Sequence, residues 1–392
     1  MKYIFVTSSF NIGGVATSFS TLVDSAIDKN DEVELHIVDQ IADIQTYVPD
    51  RVKIKHIHCY YDEIYSYGAK KGIIFLYHKY GLWPVLKRIY VWLLKKFCYY
   101  NPFILSKQFF DPDLKSTCDV CVVLKENEPT LFYAFHNIKA RKRIAFFHTA
   151  GCLRDEYIPI YCSPQIDEII TVSQGNKDFL IENMPEATSK IHVIHNIVPV
   201  EKIRALSQTK ESLFDATEKP ILYVGRICEE KGAIAILEAA KLLKDEFPKI
   251  HWYFLGRYDG RFSQERLEEK LAEKHIEDKV TVISAIKNPY PYIAQTWLIV
   301  NPSQFESYGM VIREGQILGK PVIATKTYGG VELIEDGKTG LLIDIDDSYQ
   351  MSEVIKNLYN NENLYSDIVT NLKATDFDET EKIKELFNNL MK

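Results

Sequence analysis

The chain has 392 residues, 46% hydrophobic and 26% charged, with 54 Asp and Glu against 47 Lys and Arg and a formal charge of −7. At roughly 100–200 residues per domain this length predicts two or three globular domains with cores of their own, and the composition excludes collagen, low-complexity and disordered chains. The mild acidity argues against a general nucleic-acid binder, which carries a basic footprint over a whole domain, so any anionic partner has to be met locally.

The opening residues, Met1 to Thr7, hold only a few apolar side chains before Ser8, Ser9 and the pair Gly13-Gly14. That is too short for a signal peptide and predicts a buried strand over residues 3–7. A helix over 16–27 follows, so Gly13 and Gly14 place backbone N–H groups and a helix N-terminus where an anion can sit. The pair is equally a plain tight turn, and it lacks the Gly-x-Gly-x-x-Gly spacing of a dinucleotide fingerprint. Further strands are expected at 33–38, 119–124, 143–147 and 168–172, with helices at 129–137 and 175–183. Strand and helix alternating in this way build a parallel sheet covered on both faces. Cys118 and Cys121 fall on one of these strands, where period-2 geometry points them to opposite faces, so a shared metal is not expected. An odd seven Cys scattered through a long chain fits a reducing, cytoplasmic setting.

Between Lys70 and Phe110 stand eight Lys or Arg, no Asp or Glu, and a dozen aromatics including Trp83 and Trp92. On a helix over 82–97, Leu82, Leu86, Ile89, Leu93 and Phe97 share one face, while Lys87, Arg88 and Lys95 lie opposite. Such a helix either packs its apolar face on the core or docks on anionic lipid headgroups, peripheral to the inner face of a membrane; the long acid-free run favours docking. No run reaches the roughly 18 apolar residues of a membrane span.

Polar residues from Glu201 to Lys219 form a connector, after which the alternation restarts. Strands are expected at 221–224, 252–255, 280–283, 298–300 and 322–324, and helices at 233–246 and 310–318. In open sheets of this type ligands bind outside the carboxyl ends of the strands, so residues just after a strand carry the information. Val224-Gly225-Arg226 ends one strand, and Glu229-Glu230-Lys231-Gly232 leads into the next helix. Arg226 offers a planar donor fork and Lys231 a point charge, and together they can converge on a diphosphate, unless Glu229 and Glu230 neutralise them in a solvated loop. Farther on, Glu306 precedes a helix and Glu314 lies about one turn inside it. Carboxylates accept two hydroxyl hydrogens at once, which suits a sugar hydroxyl and a ribose diol. Gly309 lets backbone approach a phosphate at the N-terminus of that helix.

The pairing of Glu306 with Glu314 around Ser307-Tyr308-Gly309-Met310-Val311, followed by Gly319-Lys320-Pro321-Val322-Ile323-Ala324, Gly329-Gly330-Val331-Glu332-Leu333-Ile334 and Gly337-Lys338-Thr339-Gly340-Leu341-Leu342, resembles the group 1 retaining glycosyltransferases of the GT-B fold. Asn288-Pro289-Tyr290-Pro291-Tyr292 supports the resemblance, and Phe147-His148-Thr149, Ile170-Thr171-Val172-Ser173 and Val193-Ile194-His195-Asn196 extend it loosely upstream. It implies an α/β chain with two Rossmann-like parallel-sheet domains facing an interdomain cleft. These are an acceptor-binding domain over 1–200, a nucleotide-sugar-binding domain over 201–375, and a C-terminal helix over 376–392 that packs back on the first domain. It further implies that Arg226 and Lys231, beside Gly225, hold the donor diphosphate and that Glu314 takes the ribose hydroxyls. Glu306 would face the transferred sugar, Gly309 and Met310 would offer backbone N–H groups, and Gly13 and Gly14 would close over the phosphates. His148 would stand near the donor sugar and the reacting centre.

Two positions depart from the family pattern: Gly315 stands where Ala is usual, and Trp297 replaces an acidic residue before a strand. The chemistry implied is transfer of a hexose or amino sugar from a nucleotide donor, a UDP-sugar, to a glycan or lipid-linked saccharide, with retention at the anomeric carbon. The setting implied is assembly of a cell-surface polysaccharide such as a capsule. Fixed cations and a helix dipole stabilise the departing phosphate, so neither a metal nor another cofactor is expected. Asp111-Pro112-Asp113 and Asp344-Ile345-Asp346 have the spacing of metal-dependent transferases but read as turns. A nucleotide-sugar epimerase or hydrolase, or a silent sugar-nucleotide-binding partner subunit, are the competing readings.

Overall fold

The computed structural model describes residues 1–8, 14–38, 48–57, 114–125, 128–149, 151, 153, 157–259 and 262–391, together with eleven scattered positions between 74 and 93. The chain divides into two compact units. The first comprises Met1–Thr171, Leu180–Ile194 and Lys384–Lys392; the second comprises Val172–Phe179 and His195–Ile383.

In the first unit seven strands are described: β1 (Lys2–Thr7), β2 (Glu32–Ile37), β3 (Val52–His56), β4 (Ser116–Val123), β5 (Ile138–Phe147), β6 (Glu168–Thr171) and β7 (Ile191–Val193). They form one parallel sheet in the order β3-β2-β1-β4-β5-β6-β7. The register pairs Phe5 with Leu35 on one side and Val122 on the other, and all three are buried. Apolar runs of this kind are what a sheet covered on both faces requires. Helix Gly14–Ala26 sets Phe19 edge-on against Phe5, with centroids 5.0 Å apart. Cys118 and Cys121 both lie on β4.

The β2 strand also buries a charge. Burial raises the Glu34 carboxyl, but hydrogen bonds from Lys2, Lys55 and His36 outweigh it and hold the group at about 2. His36 in turn meets the Tyr133 hydroxyl at 2.9 Å, so the buried polar groups are paired rather than stranded.

In the second unit six strands are described: β8 (Lys219–Val224), β9 (Ile250–Gly256), β10 (Val280–Ser284), β11 (Leu298–Asn301), β12 (Val322–Thr325) and β13 (Leu341–Ile343). They too are parallel, in the order β10-β9-β8-β11-β12-β13. Both sheets therefore have the doubly wound Rossmann pattern, with the strand order reversing between β1 and β4 in the first and between β8 and β11 in the second. Helix Ala233–Leu243 buries Ile236, Leu237, Ala240 and Leu243 at the spacing of one helix face.

Trp297 is buried directly before β11 and takes up a structural post. Its ring stacks with Tyr365 and meets Tyr359 edge-on, its carbonyl accepts from the Tyr365 hydroxyl at 2.9 Å, and the Lys219 ammonium lies 5.5 Å from its ring. Gly315 brings helix Met310–Ile317 close to the sheet: a Cβ there would lie 2.5 Å from Ile299 Cδ1.

Three strands escaped the periodicity of the sequence: β3, β7 and β13. The basic residues counted between 70 and 110 lie outside the described residues, but the apolar positions expected to share their helix are partly described. Leu82, Leu86, Ile89 and Leu93 are exposed, as are Trp83 and Tyr90, while Val85 is buried. The four leucine and isoleucine side chains are thus not packed on the core. Among the described residues no helix is long and apolar enough to cross a membrane.

Candidate active site

The loops after β8 and β11 leave the carboxyl ends of the two strands between which the second sheet reverses its order, where doubly wound folds bind ligands. Gly225 and Arg226 lie on the first loop. The Gly225 N–H donates to the Leu255 carbonyl at 3.0 Å, and the Tyr223 hydroxyl donates to the Arg226 carbonyl at 2.5 Å, so the backbone here is pinned to β8 and β9. The half-exposed guanidinium of Arg226 donates to the Asp259 carboxylate.

Lys231 ends a short 3-10 turn over Glu229–Lys231, closed by Gly232 in the left-handed region with φ 79°. A Cβ at Gly232 would lie 2.2 Å from the Pro302 carbonyl oxygen, so only glycine lets the two loops come this close. The Gln304 N–H donates to the Glu230 carbonyl at 2.9 Å and binds the loops again. In consequence the Lys231 ammonium donates to Oε2 of Glu306 at 2.9 Å and to the Phe305 carbonyl at 3.2 Å. Glu229 pairs instead with Arg266, so that acid does not neutralise Lys231.

Gly309 caps helix Met310–Ile317 with φ 94°, a conformation costly for other residues. Met310 is its first residue, in the turn where N–H groups lack an intrahelical acceptor. Glu314 lies one turn farther and is buried; desolvation pushes its carboxyl up to about 7, and a hydroxyl donated by Tyr290 at 3.4 Å only partly opposes this. Arg226, Lys231, Glu306, Gly309, Met310 and Glu314 thus belong to two loops and one helix of a single unit.

The first unit holds the remaining predicted residues. Gly14 is the exposed first residue of helix Gly14–Ala26, and Gly13 lies outside the described residues. His148 follows β5, half-buried, its ring stacked 5.3 Å from that of Phe146.

Of the Asp-x-Asp pairs, residues 111–113 lie outside the described residues. Asp344 pairs with Lys326 at 2.6 Å and Asp346 accepts from the Gln304 amide at 2.9 Å, so this pair braces a turn. Among the described residues, Cys228, Glu230 and Asp259 bring donor atoms within 4.8 Å of one another, but Asp259 is already the partner of Arg226 and burial raises the Cys228 thiol. Asp259, Tyr290 and Glu332, as partners of Arg226, Glu314 and His195, were not foreseen in the sequence; each comes from a different loop or helix, and no local spacing points to them.

Two Rossmann-like parallel sheets in one chain, with charged groups gathered at the switch point of the second, place this protein in the GT-B class. Residues 206–375, within the second unit, match the family model described as glycosyl transferases group 1. Among curated relatives, an N-acetylgalactosamine-N,N'-diacetylbacillosaminyl-diphospho-undecaprenol 4-alpha-N-acetylgalactosaminyltransferase of Campylobacter jejuni is 28% identical over 202 residues, 51% of this chain and 53% of that protein. The capsular polysaccharide biosynthesis glycosyltransferase CapM of Staphylococcus aureus is 24% identical over 216 residues, 53% of this chain and 56% of its own. The chain spans about half the length of these relatives. Among solved structures, Anabaena HepE in complex with UDP superposes with a TM-score of 0.71 at 15% identity, covering 100% of this chain and 99% of that one. At that identity the likeness establishes the fold.

Proposed function

We propose that the chain is a retaining, metal-independent glycosyltransferase that moves a sugar from a nucleotide-diphosphate sugar, a UDP-sugar, to a glycan or lipid-linked saccharide in cell-surface polysaccharide synthesis. The observation that carries this reading is the Lys231–Glu306 pair, held at 2.9 Å at the switch point of the second sheet. An ammonium has three N–H groups; two are taken by Glu306 and the Phe305 carbonyl among the described residues, which leaves a third for a phosphate oxygen. Arg226 spends part of its five-donor fork on Asp259 and retains donors for the other phosphate.

Breaking the bond between the anomeric carbon and the β-phosphate leaves charge on the phosphate. Lys231, Arg226 and the N-terminus of helix Met310–Ile317 stabilise that charge as it develops, and preorganised donors of this kind lower the barrier directly. Glu306 accepts hydrogen bonds from hydroxyls of the transferred sugar, and Glu314 accepts from the ribose. In the retaining course the acceptor hydroxyl attacks from the face the phosphate leaves, and the leaving phosphate oxygen takes its proton. The relatives named for an undecaprenol-linked acceptor and for capsular polysaccharide support the choice of acceptor class. The exposed Leu82, Trp83, Leu86, Ile89 and Leu93 support a protein that works against a membrane surface.

The test is to incubate the full chain with a panel of UDP-sugars and a polyprenyl-diphosphate saccharide, in the presence of a chelator, and to read the product by NMR. A glycosylated acceptor with the donor's anomeric configuration is expected. Free sugar or an epimer without acceptor product would mark a hydrolase or epimerase. Nucleotide binding without turnover across the panel would mark a non-catalytic subunit.

A further inference from the structure

His195 lies two residues past β7, half-buried. Its Nε2 is 3.0 Å from Oε1 of Glu332 and its Nδ1 is 3.3 Å from Oε2 of Glu379. A neutral imidazole has one N–H and one lone pair, so it would turn a lone pair toward one of these carboxylates. Only the imidazolium donates to both. Burial pulls the imidazole down, but hydrogen bonds to Glu379 and Glu332 outweigh it and hold the group above the ordinary 6.5. Glu379 is held at about 2, first by its hydrogen bond with His195.

The ring and its partners touch the active-site loop twice. The His195 and Tyr308 centroids are 5.5 Å apart, within the range in which an aromatic ring attracts a cation, and Tyr308 is buried between Glu306 and Gly309. Glu332 belongs to helix Tyr328–Leu333, whose Gly329 N–H donates to the Glu306 carbonyl at 2.9 Å. That helix is so close that a Cβ on Gly329 would lie 2.4 Å from the Tyr308 carbonyl oxygen. The second oxygen of Glu332 accepts from the Gln174 backbone N–H at 3.0 Å. Beyond Glu332, Glu379 and Tyr308, the charged groups in contact with these partners among the described residues include Lys382, 3.2 Å from Oε1 of Glu379, Arg313 beside Tyr308, and Asp178, which accepts from the Gln174 side chain.

We propose that His195, as an imidazolium, is a positioning residue: by holding Glu332 and packing on Tyr308 it fixes the backbone of residues 306–309, and its deprotonation loosens the loop that presents Glu306 and the helix N-terminus. The consequence for turnover rests on the glycosyltransferase reading; the coupling itself does not. His195→Gln removes the charge, and Glu332→Gln keeps the imidazole but takes away one of its two carboxylates.

Hydrogen exchange at the Gly329 amide, compared between proteins at the same pH, reads the coupling directly. At about pH 6 His195→Gln is expected to exchange this amide roughly tenfold faster than the parent, the size of one charged hydrogen bond. The difference should shrink as pH rises and vanish once the parent imidazole has lost its proton. Glu332→Gln should move the parent's midpoint to lower pH, which covers the case in which His195→Gln folds poorly. Turnover should follow the same midpoint while UDP affinity stays within about threefold. Equal exchange at pH 6 in parent and His195→Gln, or a pH profile of turnover unmoved by the substitution, would overturn the inference. Altered exchange in a protein that transfers no sugar would uphold it and remove the glycosyltransferase reading instead.

Discussion

Tyr290 donates its hydroxyl to Oε1 of Glu314 at 3.4 Å, a long bond onto a carboxyl that burial pushes up to about 7. The reference value for that carboxyl is 4.5, so the folded value lies above the unfolded one. Its contribution to stability is then fully present below about pH 4.5 and lost as pH rises through about 7. At about 1.4 kcal/mol for each tenfold change in proton affinity the loss amounts to roughly 3 kcal/mol by pH 8.5. Glu314→Gln keeps the shape and cannot ionise. Calorimetry should show it melting above the parent at pH 8.5 and close to it at pH 5, while its UDP affinity falls at least about tenfold. A variant that melts lower at both pH values would show that contacts of the carboxyl beyond the Tyr290 hydroxyl stabilise the fold.

Lys231 and Glu306 share one contact but have separate tasks. Hydrogen bonds to charged groups contribute about 1.5–3 kcal/mol, so Lys231→Met should weaken UDP binding by about 10–100-fold. Glu306→Gln should leave UDP affinity within about threefold and lower turnover of the UDP-sugar about 100-fold or more, if its partner is the sugar, as proposed. Titration calorimetry with UDP alone, set beside initial rates, separates the two. If Glu306→Gln costs as much UDP affinity as Lys231→Met, the carboxylate serves to orient the lysine and not to hold the sugar.

Gly232 joins conformation to packing. Alanine there pays about 1–2 kcal/mol for the left-handed backbone, and its Cβ would also press on the Pro302 carbonyl, which belongs to a backbone that cannot swing aside. The expected loss in urea unfolding is about 3 kcal/mol, with UDP binding weakened because Lys231 is the preceding residue. Gly337 has φ 77° and nothing within 4 Å of an added Cβ, so Gly337→Ala should pay the conformational cost alone. Equal losses at the two positions would mean that the loops after β8 and β11 part readily.

The doubly wound pattern was legible because strands such as β1, β8 and β11 are buried apolar runs, and parallel sheets covered on both faces write themselves in that way. The edge strand β3 was not: it reads Val52-Lys53-Ile54-Lys55-His56, and four of its five residues are exposed, so charge masks the pattern. Strands β7 and β13 have three residues each, too few for a period to show. The same division runs through the site. Arg226, Lys231, Glu306 and Glu314 stand at fixed offsets from strands and could be picked out, whereas their partners arrive by folding. Asp259 is 33 residues from Arg226, and Glu332 and Glu379 are 137 and 184 residues from His195. Lone His, Asp and Glu residues at such separations carry no local signal.

Leu82, Trp83, Leu86, Ile89 and Leu93 expose apolar surface within a stretch of sequence that has eight cations and no acid. An anionic membrane surface matches both features at once, with apolar side chains entering the headgroup layer and Lys and Arg meeting phosphate. The full chain should co-sediment with vesicles of phosphatidylcholine and phosphatidylglycerol, less so with phosphatidylcholine alone, and should release as salt is raised to about 0.5 M. Each cation near such a surface contributes about 1 kcal/mol, so reversing Lys87, Arg88, Lys95 and Lys96 to Glu should lower partitioning by about 1,000-fold or more. Trp83→Ser with Leu86→Ser should remove the part of binding that survives salt. Because the substitutions lie far in sequence from residues 225–314, turnover on a soluble saccharide should be retained while turnover on vesicle-borne acceptor falls. Partitioning that is unchanged by charge reversal and by salt would mean that this face meets a protein partner instead of lipid.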